Sequence, residues 1–133
     1  MIRVLICDDD PQARVTLERW LKHQPDIEIA GQAADGEDAL ALATSIPADV
    51  IVLDVWMPKR DGISVAHAMR DQGVQTPVVM LSADDTTAAR ARRVAGTRFL
   101  SKGTAGPREI LTAVRDAATG RAPGQERGKH TPN

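Results

Sequence analysis

The chain has 133 residues, enough for one domain with its own core and little more. At 42% apolar and 26% charged, with a formal net charge of −1, it reads as a globular protein whose overall field would not hold nucleic acid or an anionic membrane. No apolar stretch approaches the ~20 residues needed to span a bilayer, and neither a secretory leader nor a membrane partner is expected.

The first apolar run, Val4-Leu5-Ile6-Cys7, reads as a strand, and Cys7, the only cysteine, cannot form an internal disulfide. Its place in that run marks it as a small core residue, with a reactive thiol as the alternative, and a reducing, cytoplasmic location is the simplest setting. Asp10 and Pro11 supply an N-cap and a first helical residue, after which Ala13, Leu17 and Leu21 share one helical face. Ile27-Glu28-Ile29-Ala30 is the second strand, followed by an Ala- and Leu-rich helix over about residues 37–45. Val50-Ile51-Val52-Leu53 is the third strand, with a helix expected over about 64–72. Val78-Val79-Met80-Leu81 and Phe99-Leu100 are the fourth and fifth, separated by a helix over about 86–94. A last helix starts near Pro107, buries Ile110, Leu111, Val114 and Ala118, and stops before Gly120. From Arg121 the apolar period disappears, and residues 121–133 read as a flexible tail or linker after a 1–120 domain.

Strand and helix alternating five times imply an α/β fold, a doubly wound parallel sheet with right-handed crossovers. Ligands of such sheets lie beyond the carboxyl ends of the strands, where strand order reverses. Those ends hold Asp8-Asp9-Asp10, Asp54, Ser82 and Lys102. Carboxylates gathered at one edge repel one another unless a hard divalent cation offsets them, and Mg²⁺, which takes carboxylate and water oxygens and leaves room for phosphate, fits. With Lys102 and Ser82 beside them, the chemistry suggested is in-line phosphoryl transfer onto the Asp54 carboxylate. Each residue taken alone has a plainer reading: an Asp after a strand as a helix cap, a Ser bonded to backbone, a Lys as a solvated charge.

The succession Asp8-Asp9, then Leu53-Asp54-Val55-Trp56-Met57-Pro58 with Asp61-Gly62, then Ser82-Ala83, then Phe99-Leu100-Ser101-Lys102, resembles the signature of response-regulator receiver domains over about residues 2–120. The resemblance implies a flavodoxin-like five-stranded sheet in the order 2-1-3-4-5 with five helices. It implies that Asp54 is the phosphoacceptor, and that Asp8, Asp9, Asp54 and the backbone carbonyl of Trp56 hold Mg²⁺. Lys102 and Ser82 would bind phosphoryl oxygens. Ser82 and Phe99 would form the switch pair, the hydroxyl moving to the phosphoryl group and the ring turning inward behind it. The donor would be a histidine kinase or phosphotransfer protein, and the domain would assist its own phosphorylation and dephosphorylation without being an enzyme.

Some positions depart from the commonest family pattern. Gly103 follows Lys102 where many receivers have a proline after a cis bond, and since a cis non-proline bond costs roughly 3 kcal/mol a trans bond is expected. Ser82 stands for the commoner Thr, and Phe99 for Tyr, so the switch ring lacks a phenolic hydrogen bond. Trp56 and Asp84 fall at the two positions that tune phosphoryl lifetime in the family. Trp56 either blocks a hydrolytic water, giving slow self-dephosphorylation, or merely covers the site, and Asp84 either repels or orients that water.

Two other readings of the site are open. Asp8-x-Asp10 with Ser82 and Lys102 is similar in order to the haloacid-dehalogenase phosphatases, with Asp8 as nucleophile, but no acidic pair follows the lysine and residues 54–58 would have no purpose. A receiver-like binding module that never takes a phosphoryl group would be expected to lack one of these residues. Arg90, Arg92 and Arg93 form either a partner-facing surface or a solvated helix face, and His23, His67 and His130 have no ligand spacing. The last helix and its exit resemble the receiver half of LuxR/NarL-type helix-turn-helix regulators. That resemblance implies transcriptional output through a DNA-binding domain not in this chain, homodimerisation on phosphorylation, and residues from 121 as the start of a linker; a stand-alone regulator is the alternative.

Overall fold

In the computed structural model, which describes residues 1–120, five parallel strands form one sheet in the order β2-β1-β3-β4-β5. The strands are β1 (Ile2–Cys7), β2 (Ile27–Ala33), β3 (Val50–Asp54), β4 (Val78–Ser82) and β5 (Thr97–Ser101). The helices are α1 (Pro11–Lys22), α2 (Gly36–Ser45), α3 (Gly62–Asp71), α4 (Ala88–Arg92) and α5 (Pro107–Thr119). Residues 121–133, expected as a tail, lie outside the described residues, as does His130.

Strand alternation divides the core. Leu5, Cys7, Ile51, Leu53, Val78 and Met80 face one layer with Ala39, Ile63, Ala66, Met69 and Ala91 of α2, α3 and α4. Val4, Ile6, Val50, Val52, Val79 and Leu81 face the other with Leu17 and Leu21 of α1 and Ile110 and Val114 of α5. The central strands β3 and β4 are buried at every position, which is why their sequences are unbroken apolar runs.

The caps are local chemistry. Asp10 accepts the Gln12 N–H and Pro11 opens α1, as expected from the sequence. Asp35 and Asp61 cap α2 and α3 by accepting the N–H of Asp38 and Ser64, so both helices begin earlier than apolar period alone suggests. α5 has the Glu109 carboxylate accepting the Gly106 N–H at its start, and Gly120 at φ 76 at its end. Arg115 on α5 donates twice to the Asp26 carboxylate, tying that helix to the turn before β2.

Three expectations need correction. β2 runs on to Ala33 and β5 begins at Thr97, because backbone pairing with β1 and β4 continues past the apolar residues. The helix expected over 86–94 is a 3₁₀ turn, Asp85–Thr87, followed by α4 alone. Arg93 and Val94 still donate to the carbonyls of Arg90 and Ala91, an i→i+3 tightening of the last turn before Gly96 takes φ 75. On α5, Leu111 and Ala118 are only partly buried, and Asp116 and Ala117 are buried with Ile110 and Val114. No peptide bond among the described residues is cis, as expected at Lys102-Gly103.

Gly62 places the β3–α3 loop against the strand end: its N–H donates to the Val55 carbonyl, and a Cβ there would lie 2.3 Å from the Asp54 carbonyl oxygen. Gly62→Ala is expected to destabilise the domain by about 1–3 kcal/mol in urea unfolding. Gly103→Ala, whose Cβ would meet only Ser101 Oγ at 3.8 Å, is expected to change stability by less than about 0.5 kcal/mol. Equal midpoints for the two variants would show that the Gly62 contact is not a structural constraint.

Candidate functional site

The sheet order sets β1, β3, β4 and β5 side by side, and their carboxyl ends deliver the residues singled out in the sequence. Asp8 follows β1 and is 1% exposed; Asp54 ends β3 and is 6% exposed; Ser82 ends β4 and is fully buried. Lys102 follows β5, its backbone N–H donating to the Ser82 carbonyl. Asp8, Asp9 and Asp54 each bring a carboxylate oxygen within 4.8 Å of the other two.

One ammonium group answers this cluster. Lys102 Nζ lies 2.9 Å from Asp8 Oδ2 and 3.5 Å from Asp54 Oδ2. Burial pulls the Lys102 ammonium down, but its bond to Asp8 and the charge of Asp54 outweigh that and hold it above its usual value. Burial, and after it the charge of Asp8, push the Asp54 carboxyl up to about 6 against the opposing pull of Lys102. The site is therefore short of positive charge.

Asp8 is fixed from several sides. Its Oδ1 accepts the Asp10 N–H, and Arg14 of α1 donates to its backbone carbonyl at 2.7 Å. Arg14 was not singled out in the sequence; its one signal there is a basic residue in the first turn of α1, within reach of the β1 end. Asp10 is turned to its own helix, with Oδ1 on the Gln12 N–H, which removes the second acid that a phosphatase reading of Asp8-x-Asp10 requires. Cys7 is buried and its thiol is pushed up to about 12, by burial and then by Asp8, so it is a core residue and not a reactive thiol.

Ser82 is the predicted site residue whose side chain is turned away from the cluster. Its hydroxyl donates to the Asp84 carbonyl at 3.2 Å and accepts the Asp84 N–H at 3.0 Å. Asp84 in turn accepts from the Thr86 N–H and hydroxyl, bonds that hold its carboxyl below the usual range, and it caps the 3₁₀ turn. Thr87, buried, donates to the same Asp84 carbonyl. These bonds fold the β4–α4 loop onto itself.

Trp56 stands two residues beyond Asp54 and is half exposed, between buried Val55 and Met57. Phe99 on β5 is partly buried against the core layer that contains Met80, and the Arg92 guanidinium lies over its ring at 5.7 Å. Arg90 and Arg93 are exposed, as are His23 and His67.

The comparisons with known proteins agree with this geometry. Residues 4–115 match the family model described as the response regulator receiver domain. The transcriptional regulatory protein YxjL of Bacillus subtilis is 36% identical over 123 residues, covering 91% of this chain and 56% of that protein. A protein-glutamate methylesterase/protein-glutamine glutaminase of Anaeromyxobacter dehalogenans is 40% identical over 103 residues, covering 77% of this chain and 28% of that one. The signal receiver domain of the response regulator NarL from Mycobacterium tuberculosis superposes with a TM-score of 0.83 at 35% identity, covering 90% of this chain and 98% of that domain. The present chain thus spans only part of the curated relatives it matches, a little over half in the case of YxjL. With a match that runs through all five strands and a sheet in the expected order, the chain belongs to the response regulator receiver domain family.

Proposed function

We propose that this domain is a phosphorylation switch in which Asp54 is the acceptor. The observation that carries the reading is the cluster of buried Asp8 and Asp54 with exposed Asp9, which Lys102 alone among the described residues meets with an ammonium group. Three carboxylates this close, with Asp54 raised to about 6, suit a hard divalent cation that takes oxygen ligands. Asp8, Asp9, Asp54 and the Trp56 backbone carbonyl would hold Mg²⁺, which would supply the charge that lets an ionised carboxylate meet an anionic donor.

An Asp54 carboxylate oxygen attacks phosphorus; the P–N bond of a phosphohistidine, or the P–O bond of acetyl phosphate, breaks; and the leaving group takes the bonding pair. Lys102, already 3.5 Å from Asp54, receives one phosphoryl oxygen as a fixed charge and orients the group. Ser82 reaches another only by giving up its two bonds to Asp84, which releases the fold of the β4–α4 loop. Phe99, on the neighbouring strand, would follow inward. Trp56 and Asp84 flank the acyl phosphate and set how long it lasts, the indole keeping hydrolytic water from the line of attack. The likeness to YxjL and NarL supports transcriptional output through a DNA-binding domain outside this chain, with a histidine kinase or phosphotransfer protein as donor and pairing of two phosphorylated copies. A cytoplasmic setting follows from such a partner. The domain has no substrate of its own to turn over, and the methylesterase likeness covers too little of that protein to assign its activity here.

Incubation with acetyl phosphate and Mg²⁺, followed by phosphate-affinity gel and intact-mass analysis, tests the reading. Wild type is expected to gain one phosphoryl group only with Mg²⁺, Asp54→Asn to gain none, and Trp56→Ala to lose the group faster than wild type. An unmodified wild type would make this a non-phosphorylated binding module, and an adduct on Asp8 would make it a phosphatase. Stability gives a second test. An acid whose value is raised on folding binds its proton more tightly when folded, so stability falls as pH rises from about 4 through 6 and the cost is complete above that. Without divalent cations, Asp54→Asn is therefore expected to be more stable than wild type at pH 7.5, by up to about 3 kcal/mol in urea unfolding, and the gap to close towards pH 4. Added Mg²⁺ should stabilise wild type more than the variant. A gap that persists unchanged at pH 4 would remove Asp54 ionisation as its cause.

A further inference from the structure

Resting on that reading, we propose that Arg92 is a latch on Phe99: its guanidinium over the outer face of the ring favours the outward, unphosphorylated position, so that Arg92 and the phosphoryl group on Asp54 oppose each other.

Phe99 pairs with Met80 on β4, and Ser101 with Ser82, so ring and hydroxyl lie two residues apart along one face of the sheet. The ring's inner side packs on the core layer of Met80, Ala91 and Val94. Its outer side opens on a groove of about 460 Å³ between β5 and α5, lined also by Arg98, Arg108 and Thr112. Arg92, at the last residue of α4, also lines this groove, and its guanidinium lies over the ring. Among the described residues no carboxylate forms an ion pair with Arg92. The absence of a phenolic oxygen at position 99 makes the ring face the main handle by which the outward position can be held.

At the other end of α4, the bonds of Ser82 and Thr87 to Asp84 keep the loop folded. The unphosphorylated state is thus held at two points: the Asp84 turn before α4 and the Arg92 stack at its end. A contact made in only one of two states shifts the equilibrium by its own free energy, and the effect is reciprocal. For a solvent-exposed cation–π pair that is about two- to five-fold.

The test uses the fact that Phe99 is the only phenylalanine in the chain, so ¹³C-labelled phenylalanine reports one ring. Wild type, Arg92→Gln, Arg92→Lys and Arg93→Gln are compared by ring chemical shift before and after acetyl phosphate with Mg²⁺, and by phosphorylated fraction from intact mass. Arg92→Gln is expected to move the unphosphorylated ring signal towards the phosphorylated position and to speed phosphorylation about two- to five-fold. Arg92→Lys should restore part of the wild-type behaviour, and Arg93→Gln, with the same loss of charge one residue on, should match wild type. Equal effects of Arg92→Gln and Arg93→Gln would make the change one of general field and overturn the latch, as would a ring signal and rate unmoved by Arg92→Gln. If wild type takes no phosphoryl group, the switch reading fails on its own in the mass analysis. The latch is then judged by the unphosphorylated ring, where an Arg92→Gln shift no larger than that of Arg93→Gln overturns it.

Discussion

The arrangement depends on one unequal contact: a single ammonium group, Lys102, facing the buried carboxylates Asp8 and Asp54. Two anions removed from water and one cation leave an electrostatic debt that packing cannot cancel. The fold tolerates it because the debt sits at the rim of the sheet, where Asp9 is exposed and Lys102 itself is one-third exposed, and because Asp54 can keep its proton up to about pH 6. Positive charge brought to that rim, whether from a cation or from rearrangement of nearby donors, acts on a site already short of it.

The central strands allow such a site to exist. β3 and β4 are buried along their whole length and paired on both edges, so Asp54 and Ser82 are carried on backbone that has little freedom. The loop after Asp54 is fixed as closely, by the Gly62 N–H on the Val55 carbonyl and the Gly36 N–H on the Pro58 carbonyl. Rigidity at Asp54 contrasts with the segment after Ser82, where a 3₁₀ turn and a five-residue helix replace a full crossover helix. A helix that short is not stable alone and depends on Ala91 and Val94 in the core and on the Asp84 turn. It is the element least costly to displace.

Much of this was readable from the residues in order. Strand runs of Val, Ile and Leu located the central sheet, and charged or hydroxyl residues one or two places past each run located the site, because a parallel sheet puts those places at one edge. What the sequence hid has physical reasons. β2 and β5 continue through Gly31, Gln32, Thr97 and Ser101 since edge strands are held by backbone bonds that do not depend on side-chain polarity. The helix at 86–94 broke into two turns because Asp84, Thr86 and Thr87 bond to one another locally, in competition with an α-helical start. Arg14 gave no signal, and Arg92 stood out only as one of three arginines on a helix face, because what each does is set by where a long side chain comes to rest against a neighbouring element. Apolar period finds a face; it does not say what an arginine on the other face will touch.

The bonds also bound how sharp a switch the proposed chemistry can make. Ser82 exchanging its two bonds to the Asp84 backbone for one to a charged phosphoryl oxygen replaces ordinary hydrogen bonds, each worth about 0.5–1.5 kcal/mol, with a charge-assisted one worth about 1.5–3. At mid-range values the two sides nearly cancel, leaving less than about 1 kcal/mol and so at most a few-fold in an equilibrium constant. Taking a two-state element from 1:99 to 99:1 requires about 5.5 kcal/mol. The hydroxyl alone therefore cannot drive the change. The larger part must come from Lys102, which would exchange shared carboxylates for a doubly charged group, and from whatever the displaced surface then binds. A domain built this way is graded in isolation and becomes decisive only when a partner, a second copy or an attached output domain, favours one of its two states.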